Sequence, residues 1–292
     1  MSELLNSLIE LVRRTSAEIP DDVHKAILTS LENEKKDSLA ANALKIVDQN
    51  IALAKNKSQP ICQDTGSILF YVDCPIGFDQ ITFADTAREA VTLATKKGFL
   101  RQNSVDSLTG KNDGTNVGPG APSFHFHQHR SPGVSVRLVL KGGGCENVGA
   151  QYSLPAEKLK ANRDLDGCRK AILDAVLQAQ GKGCGPGILG VCIGGDRATG
   201  YELSKTQFLR RLEDRNPNPE LDALEQDVMK TANELGIGPM GFGGKTTLLG
   251  VKICAANRLP ASYFVSISYM CWAYRRQGVT LDTAGNIGKW LY

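Results

Sequence analysis

Apolar positions recur at helical spacing through the first 56 residues. Leu4, Leu5, Leu8 and Val12 share one stripe, and Ala26, Ile27 and Leu31 begin a second after Pro20. A third helix is predicted over 38–54, stopped by Gln59–Pro60, because the residue before a proline is pushed out of helical geometry. Residues 67–72 (SILFYV) are β-branched and aromatic and predict a strand, so ICQDTG is the loop that enters it. An amphipathic helix fits 83–97, and 109–122 carries no periodic signal, the mark of a long loop of the kind that often serves function. Strand character returns at 123–128 and 134–140, the latter running into a Gly142–Gly143–Gly144 turn. Helices then fit 155–180, 201–212 and 219–235, and the final strands are expected at 246–253 and 263–269, the last delivering Cys271. This order predicts an α+β fold: a mixed β-sheet domain surrounded by helices, with 1–56 as a helical N-terminal segment. No internal repeat or low-complexity linker divides the chain, so one domain is expected over 1–292.

Composition narrows the class. With 41% hydrophobic and 22% charged residues, a chain of 292 can bury a real core. The net charge of +3 is spread without a basic face or charged tail, which argues against nucleic acid and leaves a small anionic substrate compatible. No basic start followed by an apolar run and no bilayer-length apolar stretch is present, so no membrane partner and a cytoplasmic location are expected. The eight cysteines are too sparse for a disulfide scaffold and are expected as reduced thiols, most of them buried as small apolar residues.

Three cysteines stand apart: Cys62 in PICQDTG, Cys184 in GKGCGPGILG and Cys271 in SYMCWAYRR. Each sits where a loop meets a regular element, among residues suited to close approach, and thiolates are soft ligands for iron–sulfur clusters. Spacing alone is a weak signal, since no C-x-x-C pair points to zinc or to a ferredoxin-type cluster.

PICQDTG, KGGGCEN, CGPGILG and the CWA-containing end, in that order and across nearly the whole chain, resemble the alpha half of the class I fumarase and L-tartrate dehydratase family. The resemblance implies a hydro-lyase acting on a small dicarboxylic acid, with a [4Fe–4S] cluster held by Cys62, Cys184 and Cys271 and one open iron coordination site for substrate. Such an iron acts as a Lewis acid on a hydroxyl leaving group. The chain ends soon after the third cysteine, near where single-chain members continue, so a beta subunit in a hetero-oligomer is the implied partner. Gln63 and Asp64 match the family's substrate pair, with Asp64 as the carboxylate that would orient a proton-transfer group from the partner. Read without the resemblance, Asp64 equally closes an Asx-turn before the strand. Arg101 matches an arginine that grips a substrate carboxylate, a task suited to a planar bidentate donor. Gly143 and Gly144, after Gly142, would offer unobstructed backbone N–H groups to substrate, although a plain tight turn explains them too. Cys145 is expected to be a neighbour and not a ligand.

Two leads are set aside. GPMGFGGKTT resembles a phosphate-binding loop, but Pro239 stands where that motif needs glycine, and a helix precedes the run where a strand should. His125, His127 and His129 alternate on one strand face, a possible metal geometry; the family has one histidine near His125, which leaves His127 and His129 facing solvent. One departure matters. Twelve residues before the third cysteine, where family members commonly carry a histidine proposed to transfer protons, this chain has Leu259, which cannot move a proton. His125 or a partner residue would have to replace it. A non-catalytic iron–sulfur or zinc protein with a structural or redox-sensing role is the rival reading.

Overall fold

The computed structural model describes residues 2–292 and has an α+β architecture with two mixed sheets. The helices are α1 (Glu3–Ala17), α2 (Asp21–Asn33), α3 (Leu39–Lys57), α4 (Gln80–Lys96), the short α5 (Gly143–Glu146), α6 (Leu165–Ala179), α7 (Arg197–Thr206) and α8 (Pro219–Glu234). The strands are β1 (Ser67–Pro75), β2 (Ser123–His129), β3 (Val134–Lys141), β4 (Ala150–Ser153), β5 (Gly187–Gly194), β6 (Leu248–Ala256), β7 (Phe264–Met270), β8 (Arg275–Leu281) and β9 (Ile287–Trp290). The described residues group into two compact units, the first of residues 2–21, 49–143 and 273–292, the second of 22–48 and 144–272.

The first unit is built on a five-stranded sheet in the order β2-β1-β3-β8-β9, with β1 and β2 parallel and the other pairs antiparallel. Helix α1 starts where the Ser2 hydroxyl accepts the Leu5 N–H at 3.2 Å, and α4 where Asp79 accepts the Thr82 N–H at 2.9 Å. Both lay apolar stripes on one core: Leu5, Leu8 and Val12 of α1 and Phe83, Ala87, Val91 and Ala94 of α4 bury against Ile68, Phe70, Val72 and Cys74 of β1. Full burial of each large side chain contributes about 1.5–3 kcal/mol. β1 is therefore pinned at the sheet's interior, and the loop that enters it is held from behind.

The second unit carries a four-stranded sheet in the order β4-β7-β5-β6, in which β5 and β6 run parallel and the other pairs antiparallel. Helix α7 packs on β5 and β7, α8 on β6, and α6 on α8 and β7. β5 reads GILGVCIG and is buried at every position.

Several elements differ from expectation. The helix expected over 155–180 is confined to α6, because Asp164 accepts the Gly167 N–H at 2.7 Å and starts it there, while Glu157–Leu159 makes a separate 3-10 turn ended by Lys160 at φ 49. α7 begins at Arg197, four residues early, under an Asp196 cap on Ala198 and Thr199. β7 is not the last strand: β8 and β9 follow Cys271. β8 escaped notice because its sequence RRQGVTL opens with polar residues, yet Arg275, Arg276 and Gln277 are all buried. The Gly142–Gly144 stretch is not a free turn; Gly142 follows the end of β3 and Gly143 opens α5.

Candidate functional site

The loop between α3 and β1 carries the first thiol and is fixed by contacts far apart in sequence. The Asp64 N–H points at Cys62 Sγ at 3.4 Å. The Asp64 side chain reaches across to the end of β3, where its Oδ2 accepts the Gly143 N–H at 2.6 Å, 79 residues on. The expected glycine donor at 143 is thus engaged by the chain's own carboxylate. Behind it, Gly66 has φ +77, and a Cβ there would lie 2.2 Å from the Lys141 carbonyl oxygen, so this position needs glycine. Thr65, 2% exposed, locks the loop to the segment after α4: its Oγ1 donates to the Arg101 carbonyl and accepts the Arg101 N–H, both at 2.9 Å.

Arg101 itself is exposed, as is Gln63. The backbone beneath Arg101 is held by Asn116, whose Nδ2 donates to the Arg101 carbonyl at 2.7 Å while its Oδ1 accepts the N–H groups of Asn103 and Ser104 at 2.9 and 3.0 Å. Asn116 is 1% exposed and sits at φ 60, a conformation asparagine tolerates better than most residues. A cavity of about 240 Å³ lies among Asp64, Ser67, Asn103, Ser104, Asn116 and Gly143. Thr65, Asn116 and Arg275, which donates to the Asp64 carbonyl at 2.6 Å, were not foreseen from the sequence. The available signal was weak: an asparagine inside the irregular GTNVG run and a polar pair after CWAY.

In the second unit Cys184 and Cys271 lie at the same end of one sheet, because β5 and β7 run antiparallel with Ile188 opposite Met270. Cys271 follows β7 and is 7% exposed, whereas Cys184 precedes β5, is exposed and has φ 53. The Trp272 N–H donates to the Cys184 carbonyl at 3.2 Å, which ties the two thiol-bearing segments together. Between them stands Tyr269, 3% exposed: a Cβ at Gly183 would lie 2.4 Å, and at Gly187 2.2 Å, from its ring. Burial pushes the Tyr269 phenol well above its ordinary value, and the negative charges of Cys271, Cys145 and Cys184 add to the shift. Cys145 thus belongs to the same neighbourhood as the two proposed ligands.

None of the eight cysteines is in a disulfide. Cys168 and Cys74 behave as packed residues: burial pushes Cys168 up to about 11 and raises Cys74 as well. Among the described residues, no group of three His, Cys, Asp or Glu side chains is assembled for a metal ion. The donor chemistry of Cys62, Cys184 and Cys271 nonetheless fits an iron–sulfur group: none is in a disulfide, Cys62 lies beside the Asp64 N–H, Cys184 sits in a glycine-lined segment, and Cys271 precedes the Trp272 N–H that bonds the Cys184 carbonyl.

The remaining leads resolve differently. The N–H groups of Lys245 and Thr246, in the run that resembles a phosphate loop, are taken by the Glu34 carboxylate at 2.8–3.0 Å. On β2, His125 stacks on Tyr71 with ring centroids 4.7 Å apart, His127 approaches Asp73 at 3.7 Å, and His129 meets the Ser131 hydroxyl at 3.1 Å. Leu259 is 74% exposed in the loop between β6 and β7, beside a hollow of about 620 Å³ that also touches Asp196, Arg197 and Arg258. No helix among the described residues is long and apolar enough to cross a membrane.

The family description fumarate hydratase (Fumerase) matches residues 6–280. A Geobacillus stearothermophilus protein provisionally named a class I fumarate hydratase is 52% identical over 296 aligned positions, covering all of this chain but 58% of the relative. The chain thus spans little more than half of that relative's length. The L(+)-tartrate dehydratase subunit alpha of Escherichia coli K12 is 31% identical, with 94% of this chain and 90% of the relative covered. A Methanocaldococcus jannaschii protein provisionally given the same subunit name is also 31% identical, over 92% of this chain and 94% of the relative.

Proposed function

The chain belongs to the fumarate hydratase (fumerase) family, and we propose that it is the cluster-binding alpha subunit of a hydro-lyase that reversibly hydrates a small dicarboxylic acid of the fumarate/malate or tartrate/oxaloacetate type. The observation that carries this reading is the Asp64 carboxylate, anchored on the Gly143 N–H at 2.6 Å, two residues after a free thiol and beside a polar cavity. A structural metal needs no such oriented carboxylate. Cys62, Cys184 and Cys271 would hold a [4Fe–4S] cluster, which supplies a Lewis acid for the leaving hydroxyl through an iron that no thiol occupies.

The chain's own residues do the rest. Gln63 and Arg101, both exposed, bind substrate oxygens, Arg101 through the paired N–H groups of its guanidinium on one carboxylate. Gly144 contributes a backbone that no side chain screens. Asp64 keeps Oδ2 on Gly143 and, so anchored, orients the proton-transfer group. That group comes from a beta subunit, because Leu259 has no proton to move and proton transfer beside a carboxylate needs a positioned base. The protein acts in the cytoplasm, where thiols stay reduced.

Anaerobic reconstitution tests the ligand set. Cys62→Ser, Cys184→Ser and Cys271→Ser each lose bound iron and sulfide, and Cys145→Ser keeps them. A full complement in any of the first three overturns the assignment. A non-catalytic iron–sulfur or zinc protein draws support from the exposed leucine at 259. Assay of the reconstituted chain with its beta subunit on fumarate and both tartrate enantiomers separates the two readings: turnover on one of them supports the hydro-lyase, and none on any supports the rival.

A further inference from the structure

Arg275 opens β8 opposite Leu140 of β3 and is 1% exposed. Burying a guanidinium is costly unless its N–H groups are used, and here only part of the fork is. Nη1 donates to the Asp64 backbone carbonyl at 2.6 Å. Nε and Nη2 are buried and meet no hydrogen-bond acceptor among the described residues. A Cβ built on Gly142 would lie 3.1 Å from Asp64 Oδ2 and 3.6 Å from Arg275 Nη2, so the carboxylate and the cationic edge flank the same point. Asp64 is therefore gripped at two places, its carbonyl by Arg275 and its carboxylate by Gly143.

We propose that Arg275 is a positioning residue for the reaction: it fixes the peptide that carries Asp64 and sets a positive edge beside the Asp64 carboxylate, so that the carboxylate presents one orientation to the proton-transfer group. The inference rests on the role assigned to Asp64 above. A loop peptide held only by neutral contacts samples several orientations, whereas a charge-assisted bond from a strand residue whose own backbone is paired with β3 removes that freedom. Gly142 is part of the device, since a side chain there would wedge between the two groups.

Amide hydrogen exchange on the full chain reads the clamp without reference to activity. Arg275→Gln speeds exchange across 62–66 and at the Gly143 N–H by about tenfold or more, as loss of one charge-assisted hydrogen bond implies. Exchange in the cores of β1 and β3 stays unchanged. Arg275→Lys, which keeps the charge and loses the fork, gives an intermediate rate in the same segment and serves if the glutamine variant does not fold. In the complex with the beta subunit, Arg275→Gln lowers kcat by about a hundredfold, the scale of an ångström-level misplacement, while KM moves little. Unaltered exchange at 62–66 in a folded variant overturns the proposal, as does acceleration spread evenly over β3 and β8. Full activity of Asp64→Asn, with the exchange result as expected, would leave the clamp standing and overturn the role of Asp64.

Discussion

Two thiol-bearing loops enter the two sheets of this protein, one held chiefly through side-chain hydrogen bonds and the other through backbone bonds and tight glycine packing. The loop at Cys62 is tied by polar bonds: Asp64 to Gly143, Arg275 to the Asp64 carbonyl, and Thr65 to both backbone groups of Arg101. The loop at Cys184 is held by backbone bonds, from the Trp272 N–H to the Cys184 carbonyl at 3.2 Å and from the Met240 N–H to the Gly185 carbonyl at 2.9 Å, and by closeness of packing, with Gly183 and Gly187 pressed on the Tyr269 ring and Gly181 against the backbone of Met240 and Gly241. Directional bonds fix which way a carboxylate points. Packing fixes only where a segment lies, and that is enough for a thiol whose job is to present sulfur. The contrast matches the roles proposed for the two loops.

The comparison can be broken most severely at Gly66. Gly66→Ala places a side chain in a left-handed conformation and 2.2 Å from a strand carbonyl that cannot swing away. It should cost about 3 kcal/mol or more by denaturant unfolding, and a wild-type midpoint would refute the tight approach.

Gly187→Ala is the matching insult on the packing side, with its Cβ 2.2 Å from the Tyr269 ring and hydroxyl. Overpacking of this kind costs about 1–3 kcal/mol. Because the obstacle is a side chain, Gly187→Ala combined with Tyr269→Leu should recover part of the loss against Tyr269→Leu alone. Strict additivity in that double-variant cycle would show that the ring is not what restrains the loop.

The smallest effect is expected at Thr65. Thr65→Val keeps the shape and removes the hydroxyl, leaving both backbone groups of Arg101 one partner short, a loss of about 1–2 kcal/mol. Exchange of the Arg101 amide should accelerate while that of the 184–187 segment does not. Equal acceleration of both would mean that the two loops are not independently held.

The expectations met the structure unevenly. α3, α4 and α8 lie close to the predicted spans, and α1 carries the predicted stripe of Leu4, Leu5, Leu8 and Val12, since each combines apolar spacing with a cap or stop: Gln59–Pro60, Asp79, Asn218 ahead of Pro219, and Ser2. β1 and β3 were legible from β-branched and aromatic runs. β5 was not, because GILGVCIG neither alternates nor lacks glycine; Gly190 is there because a Cβ would lie 2.2 Å from the Ser204 carbonyl oxygen. β8 was missed because a polar start reads as surface, whereas Arg275 is drawn inside by the Asp64 carbonyl and Arg276 by the Tyr274 and Tyr292 rings, at 4.6 and 4.3 Å from their centroids.

The sequence by itself determined the helical stripes, the order of the motifs that places the chain in its family, and the three cysteines that stand at element boundaries. Those are local facts, carried by residue type and short spacing. Only the tertiary structure decided that Asp64 spends one oxygen on Gly143, that Asn116 and Thr65 hold the backbone under Arg101, that Glu34 fills the apparent phosphate loop, and that a buried Arg275 stands behind the carboxylate. Each joins residues well separated along the chain, and such pairings are set by strand register and by which polar groups lose water together when the sheet closes. Neither quantity is written in any single stretch of sequence.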